Sequence, residues 1–142
     1  MVRTRSEATR YRTIVTNGRV ETIADTTKAG VGSLDGFRPH ELLEAAVAAC
    51  MGISARLKAD ELGLGPVEIS TEVSLDRSNA DRPVFRGRVT VHGARSDAEQ
   101  ATLEDAAFHC AVSQTLGNVC VLMRIGDPRD DGGVATPDSS KR

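Results

Sequence analysis

Tryptophan is missing from this chain, tyrosine occurs once, and aromatic residues make up only 3% of its 142 positions. Core packing therefore falls to Ala, Val, Leu and Ile, which favour close helix approach over large aromatic clusters. The shortage also removes the stacking platforms on which single-stranded nucleic acids are held. With 18 basic residues against 20 acidic ones and a net charge of −2, no basic stripe is present to follow a phosphate backbone. No apolar run approaches the roughly 18 residues that a membrane-spanning helix requires. The charged start, Met1 to Arg10, lacks the apolar stretch of a secretory signal.

Metal and redox motifs of fixed spacing are missing as well. No Cys-x-x-Cys occurs, so neither a thioredoxin-type site nor a zinc knuckle has its ligands. His40, His92 and His109 with Cys50, Cys110 and Cys120 show no metal-ligand spacing, and no metal or bound cofactor is expected. A Cys-His hydrolase built on Cys110 would need a histidine from across the fold, since sequence neighbours seldom face one another. Three cysteines in a chain without an export signal point to a reducing compartment, the cytoplasm, where a thiol pair is catalytic or structural rather than a permanent disulfide.

What is present reads as one domain over residues 11–125, between a loose polar N-terminus (1–10) and a Gly-, Pro-, Ser- and Asp-rich C-terminal tail (126–142) expected to be disordered. Asn17-Gly18 between two apolar runs predicts a hairpin with a type I′ turn. Pro39 suits the first turn of a helix that runs to about Leu62, where Gly63, Gly65 and Pro66 end it. Its apolar residues Leu42, Leu43, Ala46, Val47, Cys50, Ile53 and Leu57 recur at helical spacing. Alternation predicts strands at 67–75 and 84–92, the second disturbed near Gly87. A helix capped by Ser96 or Asp97 runs to about His109, a short helical turn covers 112–116, and an apolar strand covers 119–125. The order β-β-α-β-β-α-(α)-β, with strands paired as hairpins, implies an α+β fold.

Three cysteines have three settings. Cys50 lies on the apolar stripe of the long helix, and Cys120 between Val119 and Val121, places where cysteine serves as a small buried hydrophobe. Cys110 follows His109 and precedes a short helical segment, so nearby backbone N–H groups favour its thiolate. Two thiols brought together by a fold act as attacker and resolver in peroxide chemistry. Periodicity alone leaves both readings of Cys50 open.

The string Pro39-His-Glu-Leu-Leu-Glu-Ala-Ala-Val-Ala-Ala-Cys50 resembles the cysteine helix of the OsmC/Ohr family, roughly Pro-x-Glu-Leu-Leu-x-Ala-Ala-x-x-Ala-Cys. Cys110-Ala-Val-Ser-Gln-Thr-Leu116 resembles that family's second signature, usually Cys-Pro-Val-x-x-x-Leu. The resemblance covers about residues 11–125 and implies an intertwined α+β homodimer with two active sites at the subunit interface. It implies an antioxidant, stress-response peroxidase acting on organic hydroperoxides, with Cys50 attacking the peroxide and Cys110 resolving the sulfenic acid. The reductant it implies is an external dithiol such as dihydrolipoamide or a lipoyl protein. Peroxidases of the family place a Glu directly after the Pro and pair it with an N-terminal Arg. Here His40 stands at that position and Glu41 follows, so Glu41 and Arg19 are the residues carried over. Two further readings stand beside this one: a non-catalytic dimer that binds a small apolar or electrophilic ligand, and a thiol redox sensor.

Overall fold

The computed structural model describes residues 1–78 and 83–117. The chain begins with an antiparallel three-stranded sheet of β1 (Arg3–Ser6), β2 (Thr13–Thr16) and β3 (Glu21–Ala24), in that order. A short hairpin of β4 (Thr27–Lys28) and β5 (Val31–Gly32) follows. The long helix α1 (Pro39–Glu61) leads to the antiparallel pair β6 (Glu68–Asp76) and β7 (Val84–His92), then to α2 (Asp97–Phe108) and α3 (Ala111–Gly117). The architecture is α+β, as expected. β1, β4 and β5 are additions to the expected order, and β1 arises from the polar segment read as a loose end. Its residues are all exposed, so the strand rests on backbone pairing with β2, which leaves no hydrophobic period to read. The strand expected at 119–125, Cys120 and the tail 126–142 lie outside the described residues.

α1 starts as its sequence dictates. Pro39 gives up an N–H that the first turn does not need, and the Glu41 carboxylate accepts the Arg38 N–H at 2.8 Å. At the far end Gly63 takes φ +60°, which a side chain would resist. The buried face is narrower and smaller than the apolar stripe predicts: Val47, Met51, Ala55 and Ala59, four residues apart, turn inward. They let the helix lie close over β6, β7 and α2, while Leu43, Ile53 and Leu57 on the adjoining face remain exposed. The core has two continuous halves. Val47, Met51 and Ala55 pack with Ala107 and Cys110. Ala59, Val67, Val91 and Leu103 form the other.

Polar anchors hold α1 to β6. Glu44 Oε1 accepts the Leu75 N–H at 2.7 Å, Thr71 Oγ1 donates to the Ala48 carbonyl at 3.0 Å, and Arg56 Nη1 donates to the Val67 carbonyl at 3.1 Å. Glu44 and Arg56 look in sequence like solvent-facing charges, but each satisfies a backbone group of the sheet.

Two local expectations change. β7 pairs with β6 without a bulge, Gly87 standing opposite Val73. The glycine makes room instead: a Cβ there would lie 3.1 Å from Met51 Cε and 3.3 Å from Phe108 Cε1. At Asn17-Gly18 only Gly18 has positive φ, +91°, so the turn is not type I′. Thr16 faces Glu21 across a four-residue loop, in which Asn17 Oδ1 accepts the N–H groups of Arg19 and Val20 at 2.9 and 3.1 Å. The asparagine side chain replaces the ladder bond that a tighter turn would have made.

β1 to β3 make few contacts with α1 and the β6–β7 layer, whereas α1, β6, β7 and α2 pack tightly together. Leu103 is fully buried in that second unit. Leu103→Ala is expected to cost about 2–5 kcal/mol, since it leaves a cavity between packed layers. Urea denaturation will show this as a lower midpoint with an unchanged slope.

Candidate functional site: a paired thiol centre

Cys50 and Cys110 share one core cluster, although Cys50 lies on α1 and Cys110 on the link between α2 and α3. Cys50 sits at the middle of α1, on the boundary between its buried and exposed faces, and is half-buried. Cys110 stands immediately before α3, which packs on α1, and only 1% of its surface is exposed. Cys50 packs against the core half that contains Cys110, and its side chain is among the groups that lower the Cys110 pKa. The two cysteines that the sequence motifs single out are thus neighbours, both with free thiols.

Their surroundings differ. Burial pushes the Cys110 thiol up, but the hydroxyl and N–H of Ser113, the Cys50 thiol and the Val112 N–H outweigh it, so Cys110 ionises below the ordinary cysteine range. Ser113 is the residue that sequence reasoning missed. Its Oγ accepts the Cys110 S–H at 3.3 Å and lies 3.0 Å from the Phe108 carbonyl and 2.8 Å from the Cys110 carbonyl, its two acceptors. The signal available was a serine three positions after a cysteine at a helix start, where a side chain folds back on the preceding turn. His109 takes no part: its Nδ1 lies 2.9 Å from the Asp105 carbonyl and 3.2 Å from Asp105 Oδ1, on the exposed end of α2.

Glu41 and Arg19 are not joined. The Glu41 carboxylate is engaged in capping its own helix. Arg19 lies exposed in the four-residue turn, and among the described residues it forms no ion pair. His40 Nε2 lies 3.5 Å from Arg77 Nη1.

Two apolar cavities share Pro83, Phe85 and Leu116, and neither is lined by a cysteine. One, about 290 Å³, is also lined by Val47 and Ser113, one helical turn from Cys50 and beside Cys110. The other, about 500 Å³, extends to Leu43, Leu75, His40 and Arg77. A larger cavity of about 750 Å³ lies elsewhere, between β2, β3 and the start of α1, and is lined by Ile14, Ile23, Phe37, Glu21 and Glu41. None of its lining residues belongs to the core cluster around Cys110 or bonds to that thiol, so its size does not make it the reaction site. Among the described residues no three His, Cys, Asp or Glu side chains converge as metal ligands would, and no helix is long and apolar enough to cross a membrane.

An enclosed Cys110 with a lowered pKa, packed in one core cluster with a half-buried Cys50 in an α+β frame, is an arrangement that thiol chemistry could use. Comparison with known proteins narrows this. Residues 30–122 match the family model described as OsmC-like protein, and the chain belongs to that family. It is 33% identical over 87 residues to the peroxiredoxin OsmC of Escherichia coli K12, an alignment spanning 57% of this chain and 61% of that protein. The chain therefore matches about three-fifths of the length of this curated relative. Among solved structures, an OsmC-like protein from Mycoplasma pneumoniae superposes with a TM-score of 0.68 at 17% identity, over 84% of this chain and 87% of that one. The organic hydroperoxide resistance protein OhrB of Bacillus subtilis does so with 0.54 at 26% identity, over 84% and 91%. The OsmC-like fold expected from the two motifs is the fold observed.

The ionisation of Cys110 is directly measurable. In a Cys50→Ser, Cys120→Ser variant, where Cys110 is the sole thiol, thiolate absorbance near 240 nm is expected to appear with a midpoint below that of a free cysteine, about 8.5. A midpoint at or above that value would contradict the balance described here.

Proposed function

We propose that this protein is a thiol-dependent peroxidase that reduces organic hydroperoxides. The observation that carries this reading is the packing of a half-exposed Cys50 on α1 against the core cluster that holds the buried Cys110. The Cys50 thiolate attacks the terminal peroxide oxygen, breaking the O–O bond; the alcohol departs and Cys50 becomes sulfenic acid. The Cys110 thiolate attacks that sulfur and displaces hydroxide, which leaves as water, so a Cys50–Cys110 disulfide forms. An external dithiol restores both thiols and is itself oxidised to a disulfide. The groove of Val47, Phe85, Leu116 and their neighbours supplies an apolar seat for the organic part of the peroxide. The names of the relatives, a peroxiredoxin and an organic hydroperoxide resistance protein, agree with this chemistry.

The working form in this reading is a homodimer. Support comes from the exposed apolar face of α1, where Ile53 and Leu57 are 61% and 58% exposed, and from the loosely attached sheet of β1 to β3. Isolated exposed leucines are ordinary, but a row at helical spacing beside a reactive thiol is the pattern of a covered surface. Glu41 and Arg19, which one chain leaves apart, are assigned to opposite protomers in this arrangement.

Consumption of cumene hydroperoxide with dihydrolipoamide tests the activity: wild type turns over and Cys50→Ser falls by at least about 100-fold. Equal rates in the two proteins would sink the proposal. The assembly is tested by light scattering. Wild type is expected at twice the chain mass, and Ile53→Asp with Leu57→Asp at one chain mass, because buried unpaired carboxylates oppose association.

A further inference from the structure

The environments of the two sulfurs are unequal in a way that the peroxide step does not use. Cys110 is almost wholly enclosed, at 1% exposure, while Cys50 borders the exposed face of α1. Ser113 Oγ lies 3.3 Å from Cys110 Sγ, with the Phe108 and Cys110 carbonyls as alternative acceptors at 3.0 and 2.8 Å. A hydroxyl with several acceptors is a rotor. When Cys110 carries a proton, the S–H donates to Oγ and the hydroxyl hydrogen stays on a carbonyl. When Cys110 is a thiolate, the same hydrogen turns to the sulfur at no cost in unpaired groups, since each carbonyl retains another acceptor site or partner; the Cys110 carbonyl, for example, also accepts the Gln114 N–H at 3.1 Å.

We propose that Ser113 is a positioning residue that directs disulfide reduction: the incoming dithiol attacks the Cys50 sulfur, and Cys110, hydrogen-bonded by Ser113, is the leaving thiolate. This rests on the Cys50–Cys110 disulfide of the proposed function. One sulfur of the dithiol, as thiolate, bonds to Cys50 Sγ while the Sγ–Sγ bond breaks and its electron pair stays on Cys110. The second thiolate of the reductant then attacks its own partner sulfur and releases Cys50 as thiolate. Two electrons pass to the protein, and the reductant closes to a cyclic disulfide. Access and leaving-group acidity, two quantities that set the direction of thiol–disulfide exchange, point to the same sulfur. The enclosure of Cys110 denies the reductant the opposite approach, which would expel Cys50 instead.

The test uses full-length protein oxidised with diamide, so it does not depend on peroxide turnover and can succeed where the peroxidase assay fails. A large excess of the monothiol 2-mercaptoethanol, quenched in acid and mapped by mass spectrometry, is expected to leave its adduct on Cys50. Reduction of the disulfide by dithiothreitol is expected to slow about 3- to 10-fold in Ser113→Ala, and to return to within twofold of wild type in Ser113→Thr. In the single-thiol background, Ser113→Ala is also expected to raise the pH at which the Cys110 thiolate appears, which a loss of packing alone would not do. An adduct mapped to Cys110, an unchanged reduction rate in Ser113→Ala, or no Cys50–Cys110 disulfide after diamide would each overturn the proposal.

Discussion

The close seat of α1 on the β6–β7 hairpin is the constraint from which the rest of the molecule follows. Val47, Met51, Ala55 and Ala59 make the inward face of the helix shallow. Gly87 clears the sheet beneath Met51, where a Cβ would lie 3.1 Å from Met51 Cε. At this separation side chains reach across to backbone: Glu44 to Leu75, Thr71 to Ala48, Arg56 to Val67. Apolar burial sets how near the helix lies, and these three bonds set where along β6 it stops. A chain rich in alanine and poor in aromatics is suited to this kind of contact, because dense packing of small groups replaces the area that large rings would bury.

The seat also explains the thiol pair. α2 docks on α1 through Leu103 and Ala107 at the level of the same core, and its end delivers Cys110 beneath Cys50. Among the described residues no ion pair or charged hydrogen-bond partner reaches Cys50 or Cys110. The acidity of Cys110 arises from one hydroxyl, two backbone N–H groups and the opposing thiol, acting at short range where water is mostly excluded. The difference between the sulfurs is therefore one of enclosure and hydrogen bonding, and it assigns them separate tasks in any exchange reaction they share.

Much of the frame was legible beforehand for physical reasons that act locally. Pro39, Glu41 and the closing glycines mark the ends of α1; Ser96 caps α2, accepting the Glu99 N–H at 3.2 Å; and alternation marks β6 and β7. What escaped was set by partners distant in sequence. β1 carries no apolar period, and pairing with β2 alone makes it a strand. Gly87 reads as a bulge until Met51 and Phe108 are seen above it. The apolar stripe of α1 was visible, yet its periodicity does not distinguish the buried row from the exposed one, since both repeat every three or four residues. Glu44 and Asp25 were unremarkable as letters. In the structure Asp25 is buried and accepts from the Ser33 hydroxyl at 2.7 Å and the Asp35 N–H at 2.8 Å, tying down the loop that leads into α1.

By itself the sequence determined the helix that carries Cys50, the turn that carries Cys110, and the family in which such a pair of strings belongs. Those depend on caps, periods and short motifs, all of which act within a few residues. Only the tertiary structure decided that the two cysteines share one core cluster, that Cys110 is the enclosed and acidified member, and that Ser113 is its partner. Glu41 capping its own helix, without an ion pair to Arg19 in one chain, is likewise a tertiary result. Ionisation and access depend on which groups surround an atom in space, and no spacing along the chain specifies that.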